Sequence, residues 1–197
     1  MNFVLAIIIG YLMGSIPSAL ILAKRRNIDI RQHGSGNIGG TNAFRVLGKK
    51  AGMIVTLSDI AKGMIPTWLG FYLGGDALAI LAGISASVGH SYSIFANFKG
   101  GKSVATSAGV LIVLNPYAIL IGVGVFAFIL FLSKYVSLAS MSAAVVVMGL
   151  IWFIEDSFLI QMVTLFFGTF IIIRHHSNIK RLIQKQENKV VFKKKKI

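Results

Sequence analysis

The sequence contains no cysteine, only three prolines and only six acidic residues among 197 positions. Without cysteine, the chain cannot form a disulfide, a thiolate metal site or a cysteine nucleophile. Charged residues make up 13% of the chain, roughly half of the fraction typical of soluble domains. Because acids are so few, the formal net charge is +14. Such an excess is typical of nucleic-acid-binding proteins or of the cytoplasmic loops of membrane proteins.

Long apolar runs decide between these two classes. Hydrophobic residues make up 55% of the chain, and the mean hydropathy is +0.78. Uncharged runs cover residues 3–23, 77–98, 103–133, 135–154 and 157–173, and a further apolar stretch, residues 53–73, is interrupted by Asp59 and Lys62. Runs of this length predict membrane helices, and the basic residues lie between them. We therefore attribute the positive charge to membrane topology and predict no nucleic-acid partner.

The number of crossings depends on residues 103–133. A helix of 31 residues is ~46 Å long, which exceeds a ~30 Å hydrocarbon core, and the pair Asn115-Pro116 is expected to interrupt it. Two crossings place every basic segment on the cytoplasmic side, including the tail from Arg174, which holds nine basic residues and one acid. The prediction is an all-α integral membrane protein with seven transmembrane helices, its N-terminus outside and its C-terminus cytoplasmic. Residues 103–115 are too short to cross alone, so they must either recruit residues near Gly100 or be shielded by neighbouring helices.

No repeat or linker marks a second domain. We expect residues 1–182 to form a single polytopic membrane domain and residues 183–197 to form a basic cytoplasmic tail. The tail's Lys193–Lys196 run is expected to face anionic lipid headgroups. Gly10 and Gly14 form a G-x-x-x-G pattern, which predicts a close helix contact in the first run.

The first of three polar segments, residues 33–50, reads HGSGNIGGTNAFRVLGKK. It contains a literal G-x-G-x-x-G, but a membrane run and a basic loop precede it instead of a strand, so dinucleotide binding is not indicated. Glycines at this density let backbone N–H groups converge on an anion, and Arg45 adds a planar fork suited to phosphate. The alternative is a flexible connector. The other candidate binding residues of this segment are Ser35, Gly36, Asn37, Thr41 and Asn42.

The second polar segment, residues 98–106, reads FKGGKSVAT. It resembles the end of a P-loop, but Ala96 stands where the first P-loop glycine is required, so nucleotide hydrolysis is not indicated. Gly100 and Gly101 followed by Lys102 at a helix start still predict an anion site, formed by free N–H groups and the helix dipole. The alternative is that the lysines only anchor the helix at the membrane interface.

The third polar segment, residues 174–181, reads RHHSNIKR. His175 and Asn178 share a face if the last helix continues past the membrane, whereas His176 points elsewhere. Adjacent histidines are poorly spaced for one metal ion, and no carboxylate lies nearby in sequence, so we predict no metal site.

Two further features lie within the apolar runs. Asp59 and Lys62 are three residues apart, which indicates either an internal ion pair or a role in shaping the polar site. His90 follows Gly89 at the cytoplasmic end of its run, and we expect it to be structural.

No nucleophile, base and acid set is visible in the sequence. The pattern of soluble acyltransferases, a histidine with an aspartate five residues later, is also absent. Two anion-suited loops at the membrane surface fit one substrate with a lipid tail and another with a phosphate. We expect catalysis to depend on orientation and charge stabilisation of an activated acyl donor.

The ordered motifs also resemble a known family. They are GSGNIGGTN with Arg45, Gly89-His90, FKGGKSVAT, YVSLAS at 135–140 and RHHSNIKRL at 174–182. Over residues 14–182 the chain is similar to the bacterial acyl-phosphate:glycerol-3-phosphate acyltransferases of the PlsY type.

The resemblance implies transfer of an acyl group from acyl phosphate to sn-glycerol 3-phosphate, giving lysophosphatidic acid and phosphate in the first step of phospholipid synthesis. It implies a multi-pass protein of the bacterial cytoplasmic membrane, with its active site facing the cytoplasm. We predict no cofactor; the expected partners are the two substrates, membrane lipids and the enzyme that produces acyl phosphate. The resemblance assigns Ser35, Arg45, Lys102, His175 and Asn178 to the active site, supported by Thr41, Asn42, Gly101 and Ser140.

The chain departs from the family pattern at two positions. Gly40 stands where the family usually has Ala, and Ser103 stands where it usually has Gly. We expect retained activity, with altered backbone freedom at 40 and an extra hydroxyl at 103. Ser35 either positions substrate, which we favour, or forms a covalent acyl intermediate.

Two other functions compete with the enzyme. A membrane transporter for a phosphorylated small solute fits seven helices with phosphate loops, although transporters place their sites near the midplane. A non-catalytic membrane anchor explains the basic tail but leaves the three polar segments without a purpose.

Overall fold

The structure, a computed structural model, describes residues 2–190. Within that range it contains α-helices and two short 3-10 turns but no β-strand, so the prediction of an all-α protein is confirmed. The helices are α1 (Phe3–Ser15), α2 (Ser18–Lys24), α3 (Gly40–Val46), α4 (Lys49–Ser91), α5 (Val104–Leu114), α6 (Pro116–Ser133), α7 (Val136–Ile154), α8 (Phe158–Arg174) and α9 (His176–Ile183). The Lys193–Lys196 run lies outside the described residues.

Several helices are suited to a membrane. Among residues 2–190, the stretches that are long and apolar enough to cross it number four: Phe3–Lys24, Lys49–Ala96, Pro116–Ser133 and Val136–Ile154. The number becomes five if α8 and α9, which are bent by 53° at His175, form one span. The predicted count of seven differs because it divides residues 49–96 into two crossings and includes α5.

Helix α4 folds back on itself at a pair of glycines. Gly74 and Gly75 leave the helical conformation, and Gly75 has a φ of 71°, a left-handed value that glycine adopts at little cost. Across the bend, a Cβ atom built on Gly70 would lie 2.7 Å from the Leu78 carbonyl oxygen. Helix α4 is therefore an antiparallel hairpin with arms at 49–73 and 76–91, close to the two runs predicted from the sequence.

The first apolar run is broken around Pro17, where α1 ends and α2 begins. A proline removes a helical N–H donor, so carbonyls near the break need another partner. The Lys62 ammonium from α4 donates to the Ile16 carbonyl at 3.0 Å and pairs with the Asp59 carboxylate at 2.8 Å. The expected internal ion pair is present, and it also satisfies the broken helix.

Small residues let the helices approach closely. A Cβ atom on Gly10 would lie 2.3 Å from the Ala82 carbonyl oxygen, and one on Gly14 would lie 2.0 Å from that of Ala86. The predicted contact face of α1 is therefore confirmed, and it packs on the second arm of α4.

Helix α5 is short and shielded. Its 11 residues span about 17 Å, and Gly63 of α4 approaches so closely that a Cβ there would lie 2.1 Å from the Thr106 carbonyl oxygen. The expectation that this half-length helix sits among its neighbours is confirmed.

The two ends of the helices differ in chemistry. At one end, Asn115 caps α6 by accepting from the Ala118 N–H at 2.8 Å and donates to the Glu155 carboxylate at 2.8 Å. At the other end lie all three polar segments, together with the α6–α7 connection and residues 184–190. The candidate site is therefore confined to one end of the molecule.

Candidate active site

A cavity of about 320 Å³, here called the polar cavity, lies among the three polar segments. All five residues predicted to be catalytic line it: Ser35, Arg45, Lys102, His175 and Asn178. Among the predicted binding residues, Asn37, Thr41 and Ser140 also line it. Gly36 and Gly100 instead line a neighbouring cavity, and Asn42 and Gly101 lie behind the walls of both.

Asn42 stabilises the backbone of the first segment through hydrogen bonds from the buried side. It is fully buried, and its side-chain oxygen accepts from the Ser35 N–H at 2.9 Å. Its amide group donates to the carbonyls of His33 at 3.0 Å and Ile30 at 3.3 Å. Asn42 is therefore part of the scaffold that presents Ser35 to the cavity, rather than a group that reaches a ligand.

The glycine at position 40 has a steric explanation. A Cβ atom there would lie 2.2 Å from the Thr56 hydroxyl oxygen, and that hydroxyl donates to the Gly52 carbonyl at 2.9 Å. Helix α3 therefore packs so closely against the first arm of α4 that an alanine at position 40 would require the Thr56 side chain to move. The close approach to Thr56 gives a packing reason for glycine at position 40, in addition to the expected change in backbone freedom.

The glycines of the second segment use their N–H groups internally. The Gly100 N–H donates to the Ser91 carbonyl at 3.1 Å, and the Gly101 N–H donates to the His90 carbonyl at 3.0 Å. A Cβ atom on Gly101 would lie 2.1 Å from the His90 ring nitrogen Nε2. These glycines let the segment lie flat on the end of α4, and His90 supports it as expected. The N–H groups left for an anion belong to the first turn of α5, which starts at Val104.

Ser103 directs its extra hydroxyl into the protein. Its backbone is left-handed with a φ of 59°, which glycine would adopt more easily. The hydroxyl donates to the Ser87 carbonyl at 2.6 Å and lies 2.8 Å from the Ser91 hydroxyl. The departure at this position therefore adds a buried polar anchor between α4 and α5.

The third segment bends where α8 meets α9. His175 lies at the bend, and its Nδ1 is 2.8 Å from the Ile171 carbonyl oxygen. Because a carbonyl only accepts, Nδ1 carries the proton and Nε2 is an acceptor. Burial and the nearby Lys102 charge lower the pKa of His175 to about 4, so its ring is neutral at pH 7.

Arg174 joins the third segment to the second. Its guanidinium donates to the Gly101 carbonyl at 3.0 Å and lies 4.8 Å from the centre of the Tyr92 ring. This contact fixes the distance between the end of α8 and the glycine loop. His176, by contrast, is exposed and does not line the polar cavity, which agrees with the prediction that it points away from His175 and Asn178.

A chain of polar contacts crosses the cavity from the second segment to the third. The Lys102 ammonium donates to the Asn178 side-chain oxygen, and the Asn178 amide donates to the Glu187 carboxylate at 2.7 Å. The same carboxylate accepts from Ser137 at 2.7 Å and from Arg181 at 2.8 Å. Burial lowers the pKa of Lys102 to about 8, and the charge of Glu187 opposes that shift.

Glu187 was missed by the sequence reasoning. It lies in the segment assigned to the basic tail, yet residues around it return to the site: the Arg45 guanidinium donates to the Asn188 carbonyl at 3.1 Å, and the Val190 N–H donates to the Lys134 carbonyl at 2.8 Å. Its side chain is only 5% exposed. The one available signal was that it is the single acid after Arg174.

An apolar crevice of about 150 Å³ adjoins the polar cavity. It lies among α5, α6, α7 and α8, and its residues include Leu111, Val147 and Phe167. The residues that line both spaces are Val104, Ala108, Val123, Phe126 and Ser140. The combined space therefore suits a molecule with a phosphate at one end and a hydrocarbon chain at the other.

Comparison with known proteins agrees with this chemistry. The family model described as "Glycerol-3-phosphate acyltransferase" matches residues 4–185. The chain belongs to the glycerol-3-phosphate acyltransferase family. Glycerol-3-phosphate acyltransferase of Bacillus subtilis (strain 168) is 50% identical over 191 residues, which are 96% of this chain and 98% of that protein. The enzyme of Macrococcus caseolyticus (strain JCSC5402) is 46% identical over 195 residues, or 98% of this chain and 100% of that protein.

Solved structures share the fold. The glycerol 3-phosphate form of PlsY (YgiH), an integral membrane glycerol 3-phosphate acyltransferase, superposes with a TM-score of 0.93 at 34% identity, covering 97% of this chain and 96% of that one. The lysophosphatidic acid form of the same enzyme gives a TM-score of 0.90. This chain is therefore a multi-pass membrane acyltransferase of phospholipid biosynthesis.

Proposed function

We propose that this protein transfers a fatty acyl group from acyl phosphate to sn-glycerol 3-phosphate, which yields lysophosphatidic acid and inorganic phosphate. The observation that supports this most directly is the continuity of the polar cavity with the apolar crevice. Ser140 borders both spaces, so the polar head and the hydrocarbon tail of one ligand meet beside it. An acyl phosphate and a lysophosphatidic acid both have this form.

The second segment holds the donor in this mechanism. Lys102 and the first turn of α5 lie beside the crevice, since Val104 and Ala108 line both spaces. The ammonium and the free N–H groups stabilise the negative charge that builds on the departing phosphate. Their preorganised positions therefore favour the transition state over the bound donor.

The first and third segments hold glycerol 3-phosphate. Arg45 supplies a planar fork for its phosphate, and Asn178 and His175 orient the rest of the molecule. The neutral His175 ring offers Nε2 as an acceptor for the glycerol hydroxyl. With a pKa of about 4, this ring is a weak base, so it positions the hydroxyl and does not remove its proton.

The reaction balances without an added base. The glycerol hydroxyl oxygen attacks the acyl carbon, and the bond from that carbon to the phosphate oxygen breaks with its electron pair going to phosphate. A phosphate oxygen of the donor takes the hydroxyl proton, and inorganic phosphate leaves. Orientation of the two reactants and charge stabilisation supply the rate enhancement.

Ser35 positions a substrate in this scheme. Within residues 2–190, no side-chain base is hydrogen-bonded to its hydroxyl, whereas an activated serine nucleophile needs one. A pre-steady-state burst, or an acyl group trapped on Ser35, would overturn this assignment.

The site faces the cytoplasm, and the chain crosses the membrane seven times with its N-terminus outside. The two arms of α4 count as separate crossings, and the shielded α5 counts as one. Because the chain lacks cysteine, single cysteines at exposed Lys49 and Gln184 and at Asp76 and Asp156 test this topology without background. Membrane-impermeant labelling of intact cells should reach the last two positions only.

Purified protein with acyl phosphate and glycerol 3-phosphate tests the activity directly. We expect equal release of inorganic phosphate and formation of lysophosphatidic acid, with no turnover when acyl-CoA or acyl-carrier protein replaces acyl phosphate. Comparing the KM values of Lys102→Gln and Arg45→Lys for each substrate tests the assignment of the two phosphates. Absence of turnover in folded protein would remove the proposal, and glycerol 3-phosphate flux into vesicles would favour the transporter.

A further inference from the structure

A second cavity, here called the outer pocket, adjoins the polar cavity. Its volume is about 270 Å³. It shares Ser35, Asn37 and Lys102 with the polar cavity, and these residues form the boundary between the two. Among residues 2–190, none of the crevice residues lines it, so the outer pocket is separate from the space that suits a hydrocarbon chain.

Four basic side chains from three parts of the chain meet around the outer pocket. Arg31 precedes the glycine loop of the first segment, Lys99 and Lys102 flank the glycines of the second, and Arg181 lies on α9. No acidic residue lines it among residues 2–190. The polar cavity differs, because Asp59 and Glu187 are part of its lining.

Two carboxylates just behind the lining reduce the charge and orient the arginines. Asp29 accepts from Arg31 Nε and Nη2, both at 2.9 Å, and Glu187 accepts from Arg181 Nε at 2.8 Å. Each arginine keeps further N–H donors available. Four basic groups and two carboxylates leave a net charge of about +2, which matches a phosphate monoester or inorganic phosphate at −1.5 to −2.

We infer that the outer pocket is a second phosphate-binding site, through which a small phosphate-bearing molecule passes between the cytoplasm and the polar cavity. The inference rests on the proposed function, in which glycerol 3-phosphate enters and inorganic phosphate leaves. Both molecules carry a phosphate group. Because Lys102 lines both cavities, its ammonium can contact a phosphate in either one.

Lys99→Gln tests the pocket, because Lys99 is exposed, lines the outer pocket and does not line the polar cavity. Lys180→Gln is the matched control: it removes the same charge from α9 but lines neither space. The measurements are kcat and KM for glycerol 3-phosphate, the inhibition constant of inorganic phosphate, and the dependence of kcat/KM on ionic strength. The thermal unfolding midpoint of each variant verifies that it is folded.

If the pocket admits glycerol 3-phosphate, Lys99→Gln lowers its kcat/KM by roughly three- to tenfold, with kcat unchanged and a weaker salt dependence. If it serves the departing phosphate, the inhibition constant of inorganic phosphate rises by a similar factor. Either result supports the site, provided that Lys180→Gln behaves as wild type. Equal effects of the two substitutions, or no effect of Lys99→Gln, would overturn it.

A failure of the proposed function is distinguishable from a failure of this inference. If the wild-type protein shows no turnover, calorimetric titration with inorganic phosphate and with glycerol 3-phosphate still tests the pocket directly. Binding that weakens in Lys99→Gln but not in Lys180→Gln supports the site even then. Absence of any difference among the three proteins removes it.

Discussion

Glu187→Gln tests whether the carboxylate from the end of the chain sets the electrostatics of the site. The carboxylate accepts three hydrogen bonds, from Ser137, Asn178 and Arg181. A glutamine keeps the size of the side chain and one acceptor oxygen. That oxygen can still accept from Ser137 and Asn178, but the new amide group then faces the Arg181 donor.

The main loss is therefore the charge-assisted bond to Arg181. A hydrogen bond to a charged group contributes about 1.5–3 kcal/mol. Because the Arg181 side chain is 31% exposed, solvent screening reduces this to about 1–2 kcal/mol. The bond to Arg181 anchors the Glu187 side chain, and through it the position of Asn178, so its loss is expected to lower kcat/KM by about five- to thirtyfold.

The pH dependence gives a sharper test. Lys102 has a pKa lowered to about 8, mainly by burial, and the negative charge of Glu187 raises it. Removing that charge lowers the pKa of Lys102 further, so its ammonium is lost at a lower pH. We expect the alkaline limb of the kcat/KM profile to fall near the Lys102 pKa of about 8 in the wild-type protein and to move to lower pH in Glu187→Gln.

Glu155→Gln is the matched control for these measurements. The Glu155 carboxylate accepts from Asn115 at 2.8 Å and from the Ser157 N–H at 2.9 Å, but at the opposite end of the helices. We expect this substitution to affect the unfolding midpoint and to leave the pH profile unchanged. An unshifted alkaline limb in Glu187→Gln, with the protein folded, would refute the electrostatic coupling of Glu187 to Lys102.

Three further substitutions test the active site, the buried ion pair and the packing of α1 on α4. Lys102→Gln should lower kcat/KM by about 10²–10³ in the phosphate-release assay, because the departing phosphate loses its ammonium, while the unfolding midpoint stays near wild type. Lys62→Met should destabilise the protein by about 3–5 kcal/mol in denaturant titration, because it leaves the buried Asp59 carboxylate unpaired, and Asp59→Asn in the same chain should recover part of that loss. Gly14→Ala should lower the unfolding midpoint, since its Cβ would lie 2.0 Å from a carbonyl oxygen of α4, whereas Gly124→Ala, with no atom within 4 Å, should not.

The helical class and the grouping of polar segments were predictable from the sequence. Uncharged runs define the helices, and the bias of basic residues assigns their connections to one side. The exact helix limits were not predictable. The reversal at Gly74 and Gly75 lies between two runs that the sequence separates, whereas the bend at His175 has no comparable signal in the sequence.

Sequence spacing identified residues that meet around the cavity but not what each one touches. Asn42 and Gly101 belong to the predicted motifs, yet the first supports a loop from behind and the second lies against the His90 ring. Glycine-rich motifs are ambiguous in this way, since the same residue type serves close packing and exposed N–H groups alike. Only the positions of neighbouring carbonyls decide between the two uses.

Glu187 shows a different limit. A lone acid among nine basic residues after position 173 has the composition of a solvated tail, and local propensity gives no reason for it to fold back. Besides the nearby donors Asn178 and Arg181, its position depends on groups that are distant in sequence, namely Ser137 and the Arg45 contact to its neighbour Asn188. Such long-range polar complementarity has no periodic signature.

The buried ion pair of Lys62 and Asp59 connects the broken first helix to the candidate active site. Lys62 stabilises the broken first helix through the Ile16 carbonyl and holds Asp59, whose carboxylate lies 3.7 Å from His90 Nδ1. His90 in turn accepts the Gly101 N–H at its carbonyl and supports that glycine with its ring. Charges within a membrane helix are costly unless they are paired. Here the pair supports His90, and His90 supports the loop that carries Lys102. The two alternatives considered for Asp59 and Lys62, an ion pair and a role in shaping the site, therefore describe one arrangement.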